Sequence, residues 1–220
     1  MKYTIVFTLL GLYLAVVAFL LEGWGWLLLW PALSFLLLGL AYAGLGSALL
    51  GKQTGGSLAW WAVLLLLPYL LITWGIWHVQ RRVSREPVCN EVVSGVWIGR
   101  RPLAHELPDG VNLVVDLTAE FPVCRGVRRG RQYRCLPTLD ASVPPVESFR
   151  RLVDEVARWP GVVFIHCAAG HGRTAMFAAA LLVAKGLAAD IDGAETMLRS
   201  VRPRVRILPV QRRFLMVARS

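Results

Sequence analysis

The chain is 220 residues long, 56% hydrophobic and 17% charged, with a net charge of +10 and a mean hydropathy of +0.54. An ordinary soluble domain is nearer half apolar and a quarter charged, so disorder, collagen-like repeats and a wholly water-soluble globule are excluded. The apolar surplus lies in the first half, where the only Lys, Arg, Asp or Glu residues before Arg81 are Lys2, Glu22 and Lys52. That leaves +9 for the remainder, from 22 basic and 13 acidic residues. A membrane region joined to a basic, water-soluble domain is the expected organisation.

Crossing a bilayer takes roughly 20 mostly apolar residues. Three runs qualify, residues 3–21, 26–50 and 58–77, separated by short Gly-rich stretches around Gly23 and Gly55 that suit helical hairpins. Two spans instead of three, or a cleaved leader in place of the first, are the alternatives; no A-x-A site follows the first run. Trp24, Trp26, Trp60, Trp61, Trp74 and Trp77 fall near the proposed ends, as an interfacial belt would. Gly39, Ala43 and Ser47 form a small-residue face that could pack helices or form a dimer. No carboxylate, His or Arg lies mid-span, so the spans read as an anchor. Arg81, Arg82 and Arg85 follow the third run, and the positive-inside rule puts what comes next in the cytoplasm. The expected boundaries are an anchor over 1–80, a basic linker over 81–86 and one compact domain over 87–220.

Strand and helix patterns alternate in that domain. Residues 92–98 read as a strand or hairpin, 111–117 as a buried strand and 131–136 as a short one. Val146, Phe149, Leu152, Val153 and Val156 recur at helical spacing, with Pro144 and Pro145 suited to the first turn. Residues 161–165 predict a central strand after a Pro-Gly turn. A helix over 173–185 follows, with Gly186 as its cap. Asp192 leads a capping box with Glu195 for another helix, and a final helix covers 209–218. This alternation implies an α/β sandwich around a mainly parallel sheet.

Between the central strand and the helix stands His166-Cys167-Ala168-Ala169-Gly170-His171-Gly172-Arg173-Thr174. A loop at a helix N-terminus gathers several backbone N–H groups into one concavity, and the dipole adds positive potential. Gly170 and Gly172 permit a tight turn and close approach of a ligand. Arg173 can grip two oxygens of a phosphate with its planar fork. Cys167 at the base of the concavity is favoured as thiolate, and a thiolate beneath an anion site suits attack on phosphorus.

The nine-residue string resembles the signature loop of the cysteine-dependent protein tyrosine phosphatase superfamily, and its Ala-Ala-Gly-His-Gly filling is closest to dual-specificity and tensin-type members. The resemblance covers residues 87–220 only. It implies an α/β dual-specificity-phosphatase-like domain there and says nothing about the spans, so the expected fold class joins it to the N-terminal transmembrane α-helices that hydropathy predicts. It also implies Cys167 as nucleophile, Arg173 and the loop residues Ala168, Ala169, Gly170, His171 and Gly172 as the phosphate cradle, and Thr174 as donor to the departing sulfur. By the same resemblance His166 orients the loop. The family's general acid is an upstream Asp, and Asp140 matches best; Asp116, inside a strand-like run, is the rival and reads as structural. His171 reads either as a specificity residue at the pocket mouth or as an exposed loop His. Gln211 resembles a late family segment that positions water.

The chemistry needs no metal or cofactor, and Cys89, Cys124 and Cys135 lack metal-ligand spacing. They are expected as free thiols, with a protective disulfide from Cys124 or Cys135 to Cys167 as the alternative that some relatives show. All but one of the 22 basic residues after Gln80 are arginine. Arg125 to Arg134 and Arg199 to Arg213 form two clusters suited to anionic headgroups, and the loop and spans argue against nucleic acid. The expected partners are a phosphoprotein or anionic phospholipid substrate and the lipid bilayer. The expected location is a bacterial inner membrane, with the catalytic domain in the cytoplasm. The alternatives in function are a phospholipid phosphatase (phosphatidylglycerophosphate or phosphoinositide) and an inactive phosphate-binding adaptor.

Overall fold

The computed structural model describes residues 2–219, which fall into two compact units. The first takes Met1–Gln53, Ser57–Ser84 and Ala119–Pro122; the second takes Thr54–Gly56, Arg85–Thr118 and Val123–Ser220.

In the first unit three helical stretches, Lys2–Leu21, Gly23–Leu45 and Trp60–Val83, are long and apolar enough to cross a membrane. Helix α1 (Lys2–Leu21) is continuous, whereas the second stretch is broken. It opens with a 3-10 segment (Gly23–Leu28), continues as α2 (Leu29–Leu40) and ends in a π turn (Ala41–Leu45). Small residues set the contact between α1 and α2. A Cβ on Gly39 would lie 2.5 Å from Thr8 Oγ1, and one on Gly11 would lie 2.7 Å from Leu36 Cγ. The small-residue face ends there, because Ala43 falls in the π turn and is exposed.

Helix α3 (Trp60–Val83) carries Pro68, which has no N–H to give to Leu64 O. Trp30 Nε1 of α2 donates to that carbonyl at 2.9 Å, and Ser34 Oγ accepts from Tyr69 N at 3.4 Å. Unpaired backbone groups cost several kcal/mol in hydrocarbon, so this pairing lets α3 keep its proline. The helix runs on through Arg81 and Arg82, past the expected end at Trp77. Trp77 departs from the expected belt: it is buried, with the Arg81 guanidinium 5.8 Å from its ring centroid. Trp24 and Trp60 are strongly exposed, as that belt requires.

The second unit is built on a five-stranded mixed sheet. Its strands are β1 (Cys89–Val93), β2 (Val96–Arg100), β3 (Val111–Thr118), β4 (Gln132–Thr138) and β5 (Val162–Cys167), in the order β1-β2-β5-β3-β4. The β1–β2 hairpin is antiparallel, and every other pairing is parallel. Alternate residues divide between two faces. Val163, Ile165 and Cys167 of β5, with Leu113, Val115 and Leu117 of β3, face the larger core. Helices α4 (Val146–Ala157), α5 (Gly172–Ala184), α6 (Ile191–Val201) and α7 (Pro209–Arg219) all contribute to that core. Phe164 and Val114 face the other side, where Leu107, Val127 and Tyr133 complete a smaller cluster.

Two helix starts differ from the sequence expectation. Helix α4 begins at Val146 with Pro145 as its cap, so the two prolines precede the first turn. Helix α6 is capped by Asp190, whose carboxylate accepts from Gly193 N at 2.8 Å. Asp192 therefore sits inside the first turn and pairs with Arg212, while Glu195 accepts from Ile207 N and also pairs with Arg212. Helix α5 ends one residue earlier than expected, with Lys185 as its C-cap, and Gly186 follows in the left-handed conformation, φ 69°, as Leu187 N returns to Leu182 O.

Candidate active site

The central strand β5 ends at Cys167 and α5 begins at Gly172, so the loop between them lies at the carboxyl ends of parallel strands, where open α/β sheets bind ligands. Gly170 has φ 77°, and a Cβ there would lie 2.4 Å from Gly99 C. Only glycine lets the loop pass the end of β2 at that distance. Three successive loop carbonyls are held on the outside. Ala168 O accepts from Arg101 N, Ala169 O from Arg202 Nη2 at 3.2 Å, and Gly170 O from Arg202 Nε at 3.0 Å. Carbonyls held outward leave the amides of this segment to turn towards the concavity. Gly170 N donates to Cys167 Sγ at 3.3 Å, and the sulfur is 3% exposed beneath them.

Arg173 opens α5 and is buried; its Nη1 donates to Thr138 O at 2.9 Å, at the end of β4. Two residues beyond β4 stands Asp140, whose Oδ1 is 3.4 Å from Arg173 Nη2. Its side chain is 67% exposed, open to an incoming ligand. Ala141 beside it has φ 51°, a left-handed conformation costly for a residue with a Cβ. The turn that holds it is tied down from α7: the buried Gln211 donates from Nε2 to Ser142 O at 3.3 Å and accepts from Leu208 N. Gln211 also lies against the loop, since a Cβ on Gly172 would be 3.5 Å from its Oε1.

The remaining expected residues are placed as follows. Thr174 Oγ1 is buried in the first turn of α5 with no hydrogen-bond partner among the described residues, so the bond to sulfur is not formed. His166 stacks on Phe164, and its Nδ1 lies 3.3 Å from Cys167 O and 3.9 Å from Asp116 Oδ1. Asp116 is buried away from the loop's concave side. It accepts from Thr118 N, Thr118 Oγ1 and Tyr133 Oη, the last at 2.6 Å. Burial and the neighbouring Asp116 carboxylate push the Tyr133 phenol far above its usual range, so it stays a donor. His171 is half-buried, and its Nε2 lies 2.8 Å from Glu86 Oε2. All four cysteines are free thiols, and no cluster of metal-ligating side chains occurs among the described residues.

Arg202 is the residue that sequence reasoning missed. It was one arginine in a basic cluster, yet it is 2% exposed and each of its N–H groups finds an acceptor. Besides the two loop carbonyls, these are Pro87 O at 2.9 Å, Asn90 Oδ1 at 3.0 Å and Glu86 Oε2 at 3.5 Å. Burial lowers its proton affinity and the Glu86 carboxylate opposes that effect. Pro203 directly after it marks a helix end, but no local pattern separates it from Arg199 or Arg204.

Comparison with known proteins agrees with this geometry. A search among curated sequences finds no match. The fold is shared with the active form of Tk-PTP, at 26% identity, a TM-score of 0.51 and coverage of 60% of this chain and 96% of that one. PTPMT1 in complex with PI(5)P matches at 21% identity and a TM-score of 0.53, covering 60% and 94%. A human tyrosine phosphatase-like serine/threonine/tyrosine-interacting protein matches at 18% and 0.52, covering 61% and 97%. The family model described as PTP-SAK, Swiss Army Knife protein, DSP-PTPase phosphatase domain, matches residues 101–210, half of the chain, and the chain belongs to that family.

Proposed function

We propose that this protein is a membrane-anchored, cysteine-dependent phosphatase that hydrolyses phosphomonoesters through a cysteinyl-phosphate. The observation that carries the reading is Cys167 Sγ lying beneath a loop whose carbonyls at 168–170 are held outward, with Arg173 and Asp140 3.4 Å apart beside it. The Cys167 thiolate attacks phosphorus, the S–P bond forms, and the P–O bond to the leaving group breaks as Asp140 gives that oxygen its proton. Arg173 leaves Asp140 for two equatorial oxygens, and with the loop amides it stabilises their charge, the dominant contribution in phosphoryl transfer. Water then attacks phosphorus, Asp140 takes its proton, and the sulfur departs as thiolate. The uncommitted Thr174 hydroxyl is the donor for that departing sulfur. Gln211, buried between the loop and the Asp140 turn, holds the two in register.

The substrates are phosphotyrosine and phosphoserine/threonine proteins met at the cytoplasmic face. The anchor extends through α3 to Val83, beyond the expected boundary at 80, and the catalytic domain takes the chain from Arg85 onward, which leaves almost no linker. Arg81, Arg82 and Arg85 support the cytoplasmic side for that domain, by the positive-inside rule. A phospholipid phosphomonoester is the second reading. It is favoured by the three apolar helices and by the shared fold of PTPMT1, whose complex holds PI(5)P. Phosphate release by the detergent-solubilised full chain and its Cys167→Ser form separates these readings. The substrates to compare are phosphotyrosine peptide and vesicles carrying phosphatidylglycerophosphate or phosphoinositide. Cys167→Ser is expected to abolish release, and preference for peptide supports the protein substrate. Preference for vesicles moves the lipid reading to first place, and release from neither leaves a phosphate-binding adaptor.

A further inference from the structure

The three residues that follow the last apolar helix by sequence are Ser84, Arg85 and Glu86, and Glu86 does not behave as a solvated linker residue. Its side chain is 17% exposed, and Oε2 meets His171 Nε2 at 2.8 Å and Arg202 Nη2 at 3.5 Å. His171 stands at the crown of the phosphate-binding loop, and Arg202 holds the loop's Ala169 and Gly170 carbonyls. Pro87 O and Asn90 Oδ1 accept from Arg202 Nη1, so residues 86–90 are fastened to one side of the guanidinium and the loop to the other. A guanidinium has five N–H donors in a rigid plane, and here each has its own acceptor. A shift of the strap therefore moves the plane that turns the loop carbonyls outward.

We propose that Glu86 is a positioning residue that, through His171 and Arg202, holds the phosphate-binding loop ready for its anion, so that the juxtamembrane strap sets the affinity of the site. The idea rests on the loop being a phosphate site, as inferred above. Glu86 touches neither phosphate nor sulfur; it acts on the residues that shape the cradle. Glu86 reaches across 85 residues of sequence to His171 and 116 to Arg202.

The test uses the full chain in detergent, with inorganic phosphate as probe and kcat/KM on an aryl phosphate as second readout. Glu86→Ala removes a charge-assisted hydrogen bond and is expected to weaken phosphate binding about tenfold, with kcat/KM falling in parallel. Glu86→Gln keeps an acceptor for both partners and is expected to lie between the Ala variant and wild type. His171→Ala combined with Glu86→Ala is expected to lose less than the product of the two single losses, because both remove the same contact. Arg202→Ala is less useful, since a buried cluster of carbonyls left unpaired can unfold the loop outright.

Unchanged phosphate affinity in Glu86→Ala, or a lower melting temperature with unchanged affinity, overturns the proposal and leaves Glu86 as a brace. Losses that simply multiply in the double variant overturn it as well. A wild-type protein that binds phosphate but turns over no phosphomonoester defeats the enzymatic reading while the clamp stands or falls on the binding data alone.

Discussion

Cys167, Gly170 and Arg173 were legible as single residues because their chemistry lies in one contiguous string, where a strand, a Gly-rich turn and a helix start coincide. Asp140, which the family resemblance offers as general acid, was picked out by its place between a strand end and a Pro-started helix. The structure adds its 3.4 Å approach to Arg173. Asp140→Asn is expected to slow alkyl phosphates more than aryl phosphates, because poorer leaving groups depend more on the acid; equal losses in steady-state kinetics would point to another proton donor. Arg202 and Glu86 were not legible, because their role is created by partners far away along the chain.

Tyr133 makes a separate prediction at the same scale. Its phenol donates to the buried Asp116 carboxylate, and its proton is held more tightly in the folded state than in the unfolded chain. A raised folded pKa gives stability that is present below the unfolded tyrosine value of about 10 and is lost as pH rises above it. Tyr133→Phe is expected to lower stability by about 1–3 kcal/mol at neutral pH by removing a donor from a buried carboxylate. Thermal melts across pH should show the gap from wild type narrowing above about pH 10. An unchanged melting temperature at neutral pH would contradict this account.

Among elements, β3, β4, β5 and the four helices of the second unit lie within a few residues of their expected places, whereas the run expected over 92–98 is two strands, β1 and β2, joined at Ser94-Gly95, and the 3-10 turn at Ala104–Glu106 left no apolar pattern to read. Caps were harder. Asp190 and Asp192 both precede an apolar run, and the pattern Asp192-x-x-Glu195 fits a capping box. The tertiary partners Ile207 N and Arg212 drew Glu195 away, leaving Asp190 as the cap. The membrane-type helices were legible by hydropathy, whereas the π turn at Ala41–Leu45 was not, because hydropathy carries no information about backbone winding. Pro68 in α3 creates the clearest element-level test. Trp30→Phe keeps the ring but removes the donor to Leu64 O, and is expected to destabilise the α2–α3 pair by about 1 kcal/mol. The melting temperature of the detergent-solubilised protein reads this; no change would mean that Leu64 O finds another donor.

For the whole molecule, charge and hydropathy divide the chain as the composition implied: three apolar stretches, then a phosphatase domain that carries nearly all the charge. A surface of exposed Leu, Ile and Trp such as α1 and α3 present is expected of segments that face lipid rather than water. Substrate identity is not written in either half, because the loop reads a phosphate group and not what carries it. The most direct test of the central claim is the covalent intermediate. The full-length protein is mixed with an aryl phosphate, quenched in acid within milliseconds and examined by mass spectrometry of its peptides. Phosphate on Cys167, absent from the Cys167→Ser protein, is the predicted result; turnover with no phosphocysteine, or phosphate on another side chain, would contradict it.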